Sequence, residues 1–364
     1  MPEVVVFLFD RGGEDVVGRA RTEAARALVR RLARHPAVAQ VVVSTPVLGP
    51  WQGTAATVEP DPPGPWRYGA RLNDLVRKYR PERLLYVSAG SAFLLGDDEL
   101  DRVVTAAPCP PPYAVLNNFY STDFALIAPP GPVADLARDN PLGIRLWQAG
   151  YVCYELPRSA ATQLDIDTPG ELQVLALHPD LPDGLRRVLA EIPTERARHV
   201  VRLLADPEAE VLLLGRVGGH LLRYLEMEAA CRVRVLSEER GMEASGRAER
   251  GAVRSLLGIV VGSPVRLVQV LSELGDGVVW DTRVLMAHLG TWPPAEERFA
   301  ADLLQYDKVG HPFLRDLVRA CAEAPTPFLL GGHCLVSGGM YLAAELAWLN
   351  ADREVRCRPL SFPG

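Results

Sequence analysis

The stretch that decides the fold reads Leu164-Asp165-Ile166-Asp167-Thr168-Pro169-Gly170-Glu171-Leu172. Because side chains of an extended segment alternate between its two faces, Asp165 and Asp167 are expected to point the same way. Two hard oxygen ligands on one side suit Mg²⁺ beside a phosphate substrate. Thr168 can cap the helix that follows, with Glu171 at the capping-box position. The alternative is that the segment only ends a strand and starts a helix, because Asp, Thr and Pro are all common at helix starts.

Length, composition and charge restrict the class of protein. The chain has 364 residues, of which 48% are hydrophobic and 23% are charged, and these values predict a globular protein of two domains. The formal net charge of -6 gives no electrostatic sign of nucleic-acid binding. Residues 1–10 lack the basic flank and cleavage site of a secretory signal, and their apolar run is too short to span a bilayer. We therefore expect a cytoplasmic protein without a nucleic-acid or membrane partner, and a homo-oligomer is possible.

The first half alternates strand and helix patterns. The predicted strands are residues 4–9, 38–44, 83–88, 113–116, 123–128 and 151–155, and the predicted helices are residues 19–33, 67–79, 97–106, 134–140 and 143–150. The Pro- and Gly-rich residues 49–65 are predicted to form a loop. The pattern predicts an α/β fold whose sheet is covered by helices on both faces. Ligands of such sheets bind outside the carboxyl ends of the strands. The candidate loops are residues 10–18, 44–51, 88–98 and 117–123.

Residues 178–184 are rich in Pro and Asp, and they predict a boundary between domains at 1–178 and 185–364. In the second half, the strand 210–214 runs into a glycine turn at 215–220 and then a helix, with Glu238 and Glu239 at the end of the next strand. This order loosely matches the dinucleotide-binding fingerprint, although close helix–strand packing alone could require the glycines.

Further along the second half, a strand-like segment is predicted from Trp280 to His288, and another strand begins at Phe328. Asp281, His288 and His333 are one possible metal or acid–base set in this region. The alternative for a lone histidine on a glycine turn is a structural or capping role.

Read together, residues 1–175 resemble the nucleotidyltransferase superfamily with the GT-A-like (Rossmann-like) fold, in particular the MobA-like and phospholactate guanylyltransferase-like enzymes. The family's glycine loop is matched by Phe9-Asp10-Arg11-Gly12-Gly13 followed by Gly18-Arg19-Ala20-Arg21. Arg21 stands where the family has a lysine, and an arginine can also clamp phosphate oxygens. The segment Asp165-Ile166-Asp167-Thr168-Pro169 resembles the end of the family's domain and is the most specific match. The resemblance implies an N-terminal mixed sheet with flanking helices, to which a second C-terminal α/β domain is added.

One family motif is missing. The family's central strand ends in G-D-x-P, whose aspartate holds the metal, whereas this chain has Ser91 at the aspartate's position. A hydroxyl is a weaker ligand for a hard cation than a carboxylate. Either Asp97 or Asp98 replaces it from the following turn, or the site no longer binds metal in the usual way.

The resemblance implies a magnesium-dependent nucleotidyltransferase, which moves NMP from a nucleoside triphosphate to a small phosphorylated acceptor and releases pyrophosphate. The implied site residues are Arg21 and Asp167 for catalysis, Arg11, Gly12, Gly13, Arg19, Asn117 and Asn118 for the nucleotide, and Asp98, Asp165 and Asp167 for Mg²⁺. The polar loop with Asn117 also contains Ser121 and Asp123, which could contact a base, a ribose or the acceptor, and ordinary turn chemistry is the alternative for the asparagines. Two other functions remain open: a non-catalytic nucleotide-binding or regulatory protein, and a cofactor-dependent enzyme that acts through the second domain.

Overall fold

The computed structural model describes residues 3–260 and 262–349. In chain order the strands are β1 (Val4–Phe9), β2 (Val38–Thr45), β3 (Thr57–Pro60), β4 (Arg83–Ser88), β5 (Tyr113–Leu116), β6 (Phe124–Ala128), β7 (Val152–Glu155), β8 (Glu210–Gly215), β9 (Arg232–Ser237), β10 (Gly277–Asp281) and β11 (Phe328–Gly331). The helices are α1 (Val16–Leu32), α2 (Tyr68–Tyr79), α3 (Asp97–Thr105), α4 (Leu142–Gln148), α5 (Ala160–Gln163), α6 (Pro169–Leu175), α7 (Asp183–Leu189), α8 (Glu195–Leu204), α9 (Gly219–Glu228), α10 (Leu256–Val260), α11 (Pro264–Glu273), α12 (Arg283–His288), α13 (Ala295–Asp302), α14 (Pro312–Glu323) and α15 (Met340–Leu349). None of the helices in these ranges has the length and apolar character needed to cross a membrane.

The chain forms two compact units, and each unit is built from two separate stretches of the sequence. Unit 1 contains residues 1–167 and 180–191, and unit 2 contains residues 168–179 and 192–364. The sequence places the boundary at 178–184, whereas the chain passes between the units after residues 167, 179 and 191. Helix α6 therefore belongs to unit 2, and helix α7 belongs to unit 1. Residues 350–364 of the predicted second domain lie outside the described part.

Unit 1 is built on a seven-stranded mixed sheet with the order β3-β2-β1-β4-β6-β5-β7. Strands β1, β2, β3 and β4 are parallel, β6 is antiparallel to β4 and β5, and β7 is parallel to β5. One core cluster packs Phe7, Tyr68, Leu72, Tyr86 and Ile127 between the sheet and α2. The predicted N-terminal mixed sheet with flanking helices is confirmed.

Unit 2 contains a four-stranded parallel sheet with the order β11-β10-β8-β9. Three of its four strands, β8, β10 and β11, are short and almost entirely buried, as expected for a parallel sheet covered by helices. Leu212, Leu267, Trp280, Leu317 and Phe328 are members of its core cluster. The predicted second α/β domain is confirmed.

Three local predictions differ from the structure. The helix predicted at residues 134–140 is absent there, because the carbonyls of Leu136 and Ala137 accept hydrogen bonds from Gly69 N (2.9 Å) and Tyr68 N (3.3 Å) at the start of α2. The predicted loop at residues 49–65 contains the short strand β3, which pairs with β2. The strand-like segment predicted up to His288 ends at Asp281, and the following residues form α12.

Candidate functional site

The candidate site lies at one edge of the sheet of unit 1. Strands β1, β4 and β5 all end at this edge, and β6 begins there because it runs antiparallel to β4. Val87 pairs with Phe124, and Ser88 N donates to the carbonyl oxygen of Asp123 at 2.8 Å. The turn after β4 and the loop before β6 therefore meet at the carboxyl end of the central strands, where α/β sheets bind their ligands.

The predicted phosphate loop after β1 is held by its own carboxylates. Asp10 is 1% exposed, and its Oδ1 accepts from Gly12 N at 2.9 Å. Its Oδ2 accepts from Thr22 Oγ1 and from Trp51 Nε1, each at 3.0 Å. Asp15 caps α1 by accepting from Gly18 N at 2.8 Å. The amide of Gly12, predicted to cradle phosphate, is thus engaged by Asp10. Sequence reasoning missed this aspartate, although an acid between a buried strand and a glycine pair was a visible signal.

The glycine pair is required by the shape of the same loop. Gly12 and Gly13 have φ values of +64° and +140°. A Cβ atom on Gly18 would lie 2.5 Å from Gly13 Cα, so the loop folds back against the first turn of α1. These positions need glycine for backbone reasons alone.

Each of the three arginines predicted to bind phosphate is paired with a carboxylate. Arg11 contacts Asp61 at 3.2 Å and lies over the ring of Trp66. Arg19 contacts Glu191 at 2.7 Å. Both of these pairs are largely exposed on the arginine side, so they exchange readily with solvent or with a ligand.

Arg21 is the arginine that reaches the candidate site. Its guanidinium donates to the carbonyl oxygen of Ile166 and to Asp167 Oδ1. The side chains of Arg21 and Asp167 are 27% and 47% exposed, so this pair remains accessible from solvent. Both residues predicted to act in catalysis are therefore in contact with each other.

The two carboxylates of the 164–172 segment come together as the sequence predicts. Ligand oxygens of Asp165 and Asp167 lie within 4.8 Å of each other. The turn after β4 packs against Asp165 and Arg21, because a Cβ atom on Gly90 would lie 2.9 Å from Asp165 Oδ1 and 3.2 Å from Arg21 Cγ. Among the described residues, nothing donates a hydrogen bond to the buried Asp165 Oδ1. A buried carboxylate oxygen without a donor is costly unless a cation or a proton neutralises it.

Helix α6 begins at the predicted residue. Thr168 caps it by accepting from Gly170 N at 3.3 Å, and the side chain of Glu171 returns to the backbone of Thr168. The predicted capping box is confirmed.

Two further aspartates complete an acidic edge, which we define as Asp123, Asp139, Asp165 and Asp167. Burial and the charge of Asp139 raise the pKa of Asp123 to about 8. Burial and the charges of Asp167 and Asp123 raise the pKa of Asp165 well above its usual range, and Arg21 offsets part of this effect. Burial also raises the pKa of Asp139. Like charges therefore crowd together here, and Arg21 is the cation that acts on Asp165.

The side chains of the acidic edge differ in how far the protein satisfies them. Asp139 Oδ2 accepts from the hydroxyl of Tyr86 at 2.6 Å. Asp123 Oδ2 accepts from Asn117 Nδ2 at 3.0 Å. Asp139 was missed by sequence reasoning, because it lies in a polar segment without a motif and only the fold brings it to this edge.

Asn117 and Asn118 serve the local backbone. Asn117 is 1% exposed, and its amide donates to Asp123 Oδ2 and to the carbonyl oxygen of Thr162 while its oxygen accepts from Asp123 N and Phe124 N. Asn118 Oδ1 accepts from Tyr120 N at 3.1 Å, which is ordinary Asx-turn geometry. The structure therefore places the buried Asn117 as a support for Asp123 and not on a surface that a nucleotide reaches.

The remaining metal residues suggested by the sequence lie elsewhere. Asp98 is exposed in the first turn of α3, and its neighbour Asp97 pairs with Arg31 at 2.7 Å. Ser91 is 2% exposed, and its hydroxyl donates to the carbonyl oxygen of Ser88 at 2.8 Å. The largest charges acting on Asp165 come from Asp167, Asp123, Arg21 and Asp139, and Asp98 is not among them. The structure brings Asp165, Asp167 and Arg21 together, and it does not bring Asp98 to them.

The donor set of the acidic edge fits a hard divalent cation. Carboxylate oxygens are the ligands that Mg²⁺ prefers in proteins, and it usually takes one or two of them together with substrate phosphates. No described residue donates a hydrogen bond to Asp165 Oδ1, so the negative charge of this buried oxygen is the one that a cation would neutralise. Asp165 and Asp167 would hold the ion according to the sequence, and it would neutralise phosphate charge.

The glycine turn of unit 2 has a packing role. Gly215 has φ +107°, and a Cβ atom there would lie 2.6 Å from the Cβ of Asp281. At the end of β9, Glu238 accepts from Ser255 Oγ at 2.9 Å, and Glu239 accepts from Arg247 at 2.7 and 2.8 Å. The acidic groups that would contact a ribose in a dinucleotide fold are thus bound by the chain's own residues 247–256.

The suggested set of Asp281, His288 and His333 is only partly assembled. Asp281 is fully buried, and although burial alone would raise its pKa, Arg216 and His333 lower it. Arg216 Nε donates to Asp281 Oδ2 at 2.5 Å. His288 lies at the other end of α12, where a Cβ atom on Gly258 would meet its ring at 2.3 Å.

Comparisons with known proteins give structural likenesses only. No model of a protein family matches the chain, and no curated protein matches it. A CMP-2-keto-3-deoxy-manno-octonic acid synthetase complexed with CTP is similar at 12% identity and TM-score 0.33, over 48% of this chain and 96% of that chain. A nucleotidyl transferase from Methanothermobacter thermautotrophicus is similar at 16% identity and TM-score 0.32, over 44% and 90%. A cytidylyltransferase from Leptospira borgpetersenii is similar at 12% identity and TM-score 0.38, over 52% and 92%. At TM-scores this low, none of these likenesses assigns a role to a residue of this chain.

Proposed function

We propose that unit 1 is a magnesium-dependent nucleotidyltransferase of the MobA-like kind, which transfers NMP from a nucleoside triphosphate to a small phosphorylated acceptor. The observation that carries this proposal is the convergence of Arg21 with Asp165 and Asp167 at the carboxyl edge of the central strands. One accessible guanidinium and a group of carboxylates are what a site for phosphate and a divalent cation requires.

The reaction is a displacement at the α-phosphorus. An oxygen of the acceptor phosphate forms a bond to the α-phosphorus, the bridging bond between the α and β phosphates breaks, and pyrophosphate leaves with the electron pair. The protein's contribution to such a step is positioning and charge stabilisation. When bound, Mg²⁺ would neutralise the negative charge of the phosphates.

Arg21 is the residue that binds phosphate in this proposal. Its contact with Asp167 is accessible to solvent, so a phosphate oxygen can replace one carboxylate oxygen while the guanidinium keeps its bond to Ile166 O. The planar guanidinium can then donate two hydrogen bonds to one phosphate. Arg11 and Arg19 are exposed further out and can neutralise the remaining phosphates after leaving Asp61 and Glu191.

A thermal-shift series tests the proposal. The melting temperature of the full chain is measured with each of the four nucleoside triphosphates, with and without Mg²⁺, and pyrophosphate release is measured after adding small phosphorylated compounds. We expect a magnesium-dependent shift that is lost in Asp167→Asn and in Arg21→Met. The control is Asp74→Asn, which changes an exposed carboxylate on α2.

A non-catalytic nucleotide-binding protein is the second candidate. Two observations favour it. The amides of Gly12 and Gly18 donate to the chain's own carboxylates, and the hydroxyl of Ser91 donates to a backbone carbonyl. These groups are therefore already bonded within the protein and do not face a phosphate or a metal ion. A nucleotide shift that is the same with and without Mg²⁺, with no pyrophosphate released, would support this candidate and refute the transfer reaction.

A further inference from the structure

Strand β7 lies at one edge of the sheet of unit 1 and pairs with β5 alone. Leu156 N, directly after the strand, donates to Leu116 O at 2.8 Å, so the even-numbered residues of 152–156 direct their backbone groups towards β5. Because alternate residues of a strand bond to opposite neighbours, Cys153 and Glu155 direct theirs away from the sheet. In the part of the chain that the structure describes, nothing accepts a hydrogen bond from these two amides.

The other sheet edges are protected against pairing with a further strand. On β3, Asp61 N donates to Thr45 O at 3.0 Å, so the preceding Pro60 faces outward, and a proline has no N–H to offer. In unit 2, β9 carries two arginines and all four residues of β11 are buried. Strand β7 begins Val152-Cys153-Tyr154, without a proline or a basic residue. It is therefore an unprotected edge.

The exposed side chains of β7 are mainly apolar. Val152 is 48% exposed and Tyr154 is 37% exposed. They share one face of the strand, because Cys153 between them faces α4, where its Sγ lies 3.9 Å from Gly143 O. On α4 itself, Trp147 is 62% exposed. An exposed edge strand with apolar side chains is a place where another chain pairs.

A second copy of β7 fits this edge in an antiparallel arrangement. With a two-fold axis at Tyr154, the outward groups of Cys153 meet those of Glu155 of the second copy, so each pair can exchange both of its backbone hydrogen bonds. Tyr154 then faces Tyr154 of the second copy, and Val152 faces Leu156. Aromatic and aliphatic side chains thus meet each other on the shared face, which stabilises paired strands.

The neighbouring registers fit less well. An axis at Cys153 would use the amide of Tyr151, which already donates within its own chain at 3.1 Å. An axis at Glu155 would set two carboxylates opposite each other, and like charges directly opposite are destabilising. With the axis at Tyr154, Glu155 lies opposite the uncharged Cys153, and its carboxylate stays paired with Arg158 of its own copy at 2.9 Å. The charges therefore also select the register centred on Tyr154.

We propose that the chain forms a homodimer through β7, in which two copies of the sheet of unit 1 join across a two-fold axis at Tyr154. The partner is a second copy because the apolar side chains and the charges of this strand complement themselves about that residue. A strand of four residues offers a small contact area, so the dimer dissociates on dilution. The proposal does not depend on nucleotidyl transfer, since β7 contributes no residue to the acidic edge.

The first test measures the mass of the full chain in solution over a range of concentrations, by light scattering or sedimentation. We expect a concentration-dependent dimer in the wild type. Tyr154→Lys sets two ammonium groups opposite each other and should raise the dissociation constant about ten-fold or more. Thr57→Lys, at an exposed position of the other edge strand β3, is the control and should associate as the wild type does. Circular dichroism and melting temperature show that each variant is folded.

The second test examines the register, in a Cys153→Ser background. Opposite residues of a non-hydrogen-bonded pair have Cα atoms about 4.5 Å apart, which a disulfide can span, so Tyr154→Cys should form a covalent dimer on oxidation and Thr57→Cys should not. A wild type that stays monomeric would overturn the proposal and leave the strand of another protein as the occupant. A dimer unchanged by Tyr154→Lys, or Tyr154→Cys without a covalent dimer, would also overturn it.

Discussion

The sharpest consequence of the acidic edge is that Asp123→Asn stabilises the protein when no cation is present. Burial and the neighbouring Asp139 raise the pKa of Asp123 from 3.8 to about 8. In the unfolded chain the carboxyl ionises near its ordinary pKa, so between these two values unfolding releases a proton. The free energy of unfolding therefore falls as the pH rises through this window, and below it the group costs nothing.

The magnitude follows from the width of the window. At about 1.4 kcal/mol per pH unit, the span from the ordinary pKa of Asp123 up to pH 7 corresponds to roughly 4 kcal/mol as an upper limit. An asparagine has no charge to neutralise at any pH, and its side-chain oxygen can still accept from Asn117 Nδ2. We expect the variant to match the wild type near pH 4 and to gain stability progressively up to pH 8.

Urea or thermal unfolding in a chelator at several pH values between 4 and 8 provides the measurement. Asp74→Asn, which removes an exposed carboxylate, is the control and should run parallel to the wild type. The reasoning is refuted if the wild type and Asp123→Asn stay parallel across the pH range, or if the variant is the less stable of the two at pH 8.

Three other changes have expected results. Arg283 contacts the buried Asp302 at 2.6 and 2.7 Å, so Arg283→Leu leaves this carboxylate without its counter-ion. The variant should lower the free energy of unfolding, measured by chemical denaturation, by about 3–5 kcal/mol. The control Arg266→Leu breaks an exposed ion pair and should lower it by less than about 1 kcal/mol. Gly215→Ala should destabilise by about 1–3 kcal/mol because of its positive φ and its approach to Asp281, and equal melting temperatures for it and Gly219→Ala, which has open space, would contradict this. Binding of Mg²⁺ should release protons and tighten as the pH rises, because the raised pKa of Asp165 favours the protonated form of this ligand. Calorimetry in buffers of different ionisation enthalpy measures the proton release, and no release would contradict this expectation.

Local patterns in the sequence were sufficient for several features. The period of the apolar residues predicts strands β1, β2 and β4 with helices α1 and α2 between them, and the order β8, α9 and β9 in unit 2. The two-residue spacing of Asp165 and Asp167 predicts that their carboxylates approach each other. Thr168 and Glu171 predict the start of α6. These features depend on residues a few positions apart, so the chain's own geometry determines them.

The composition of the acidic edge was decided by tertiary structure. The sequence suggests Asp98 because it follows β4 closely along the chain, but α3 carries it to an exposed position. Asp123 and Asp139 reach the edge because β6 enters the sheet antiparallel to β4 and because Tyr86 of β4 contacts the loop before α4. Strand order and direction follow from the packing of the whole sheet, and no local pattern encodes them. The same packing determines that the carboxylate of Asp10 accepts hydrogen bonds from Gly12, Thr22 and Trp51, since a buried carboxylate must bond to the donors that the fold places around it.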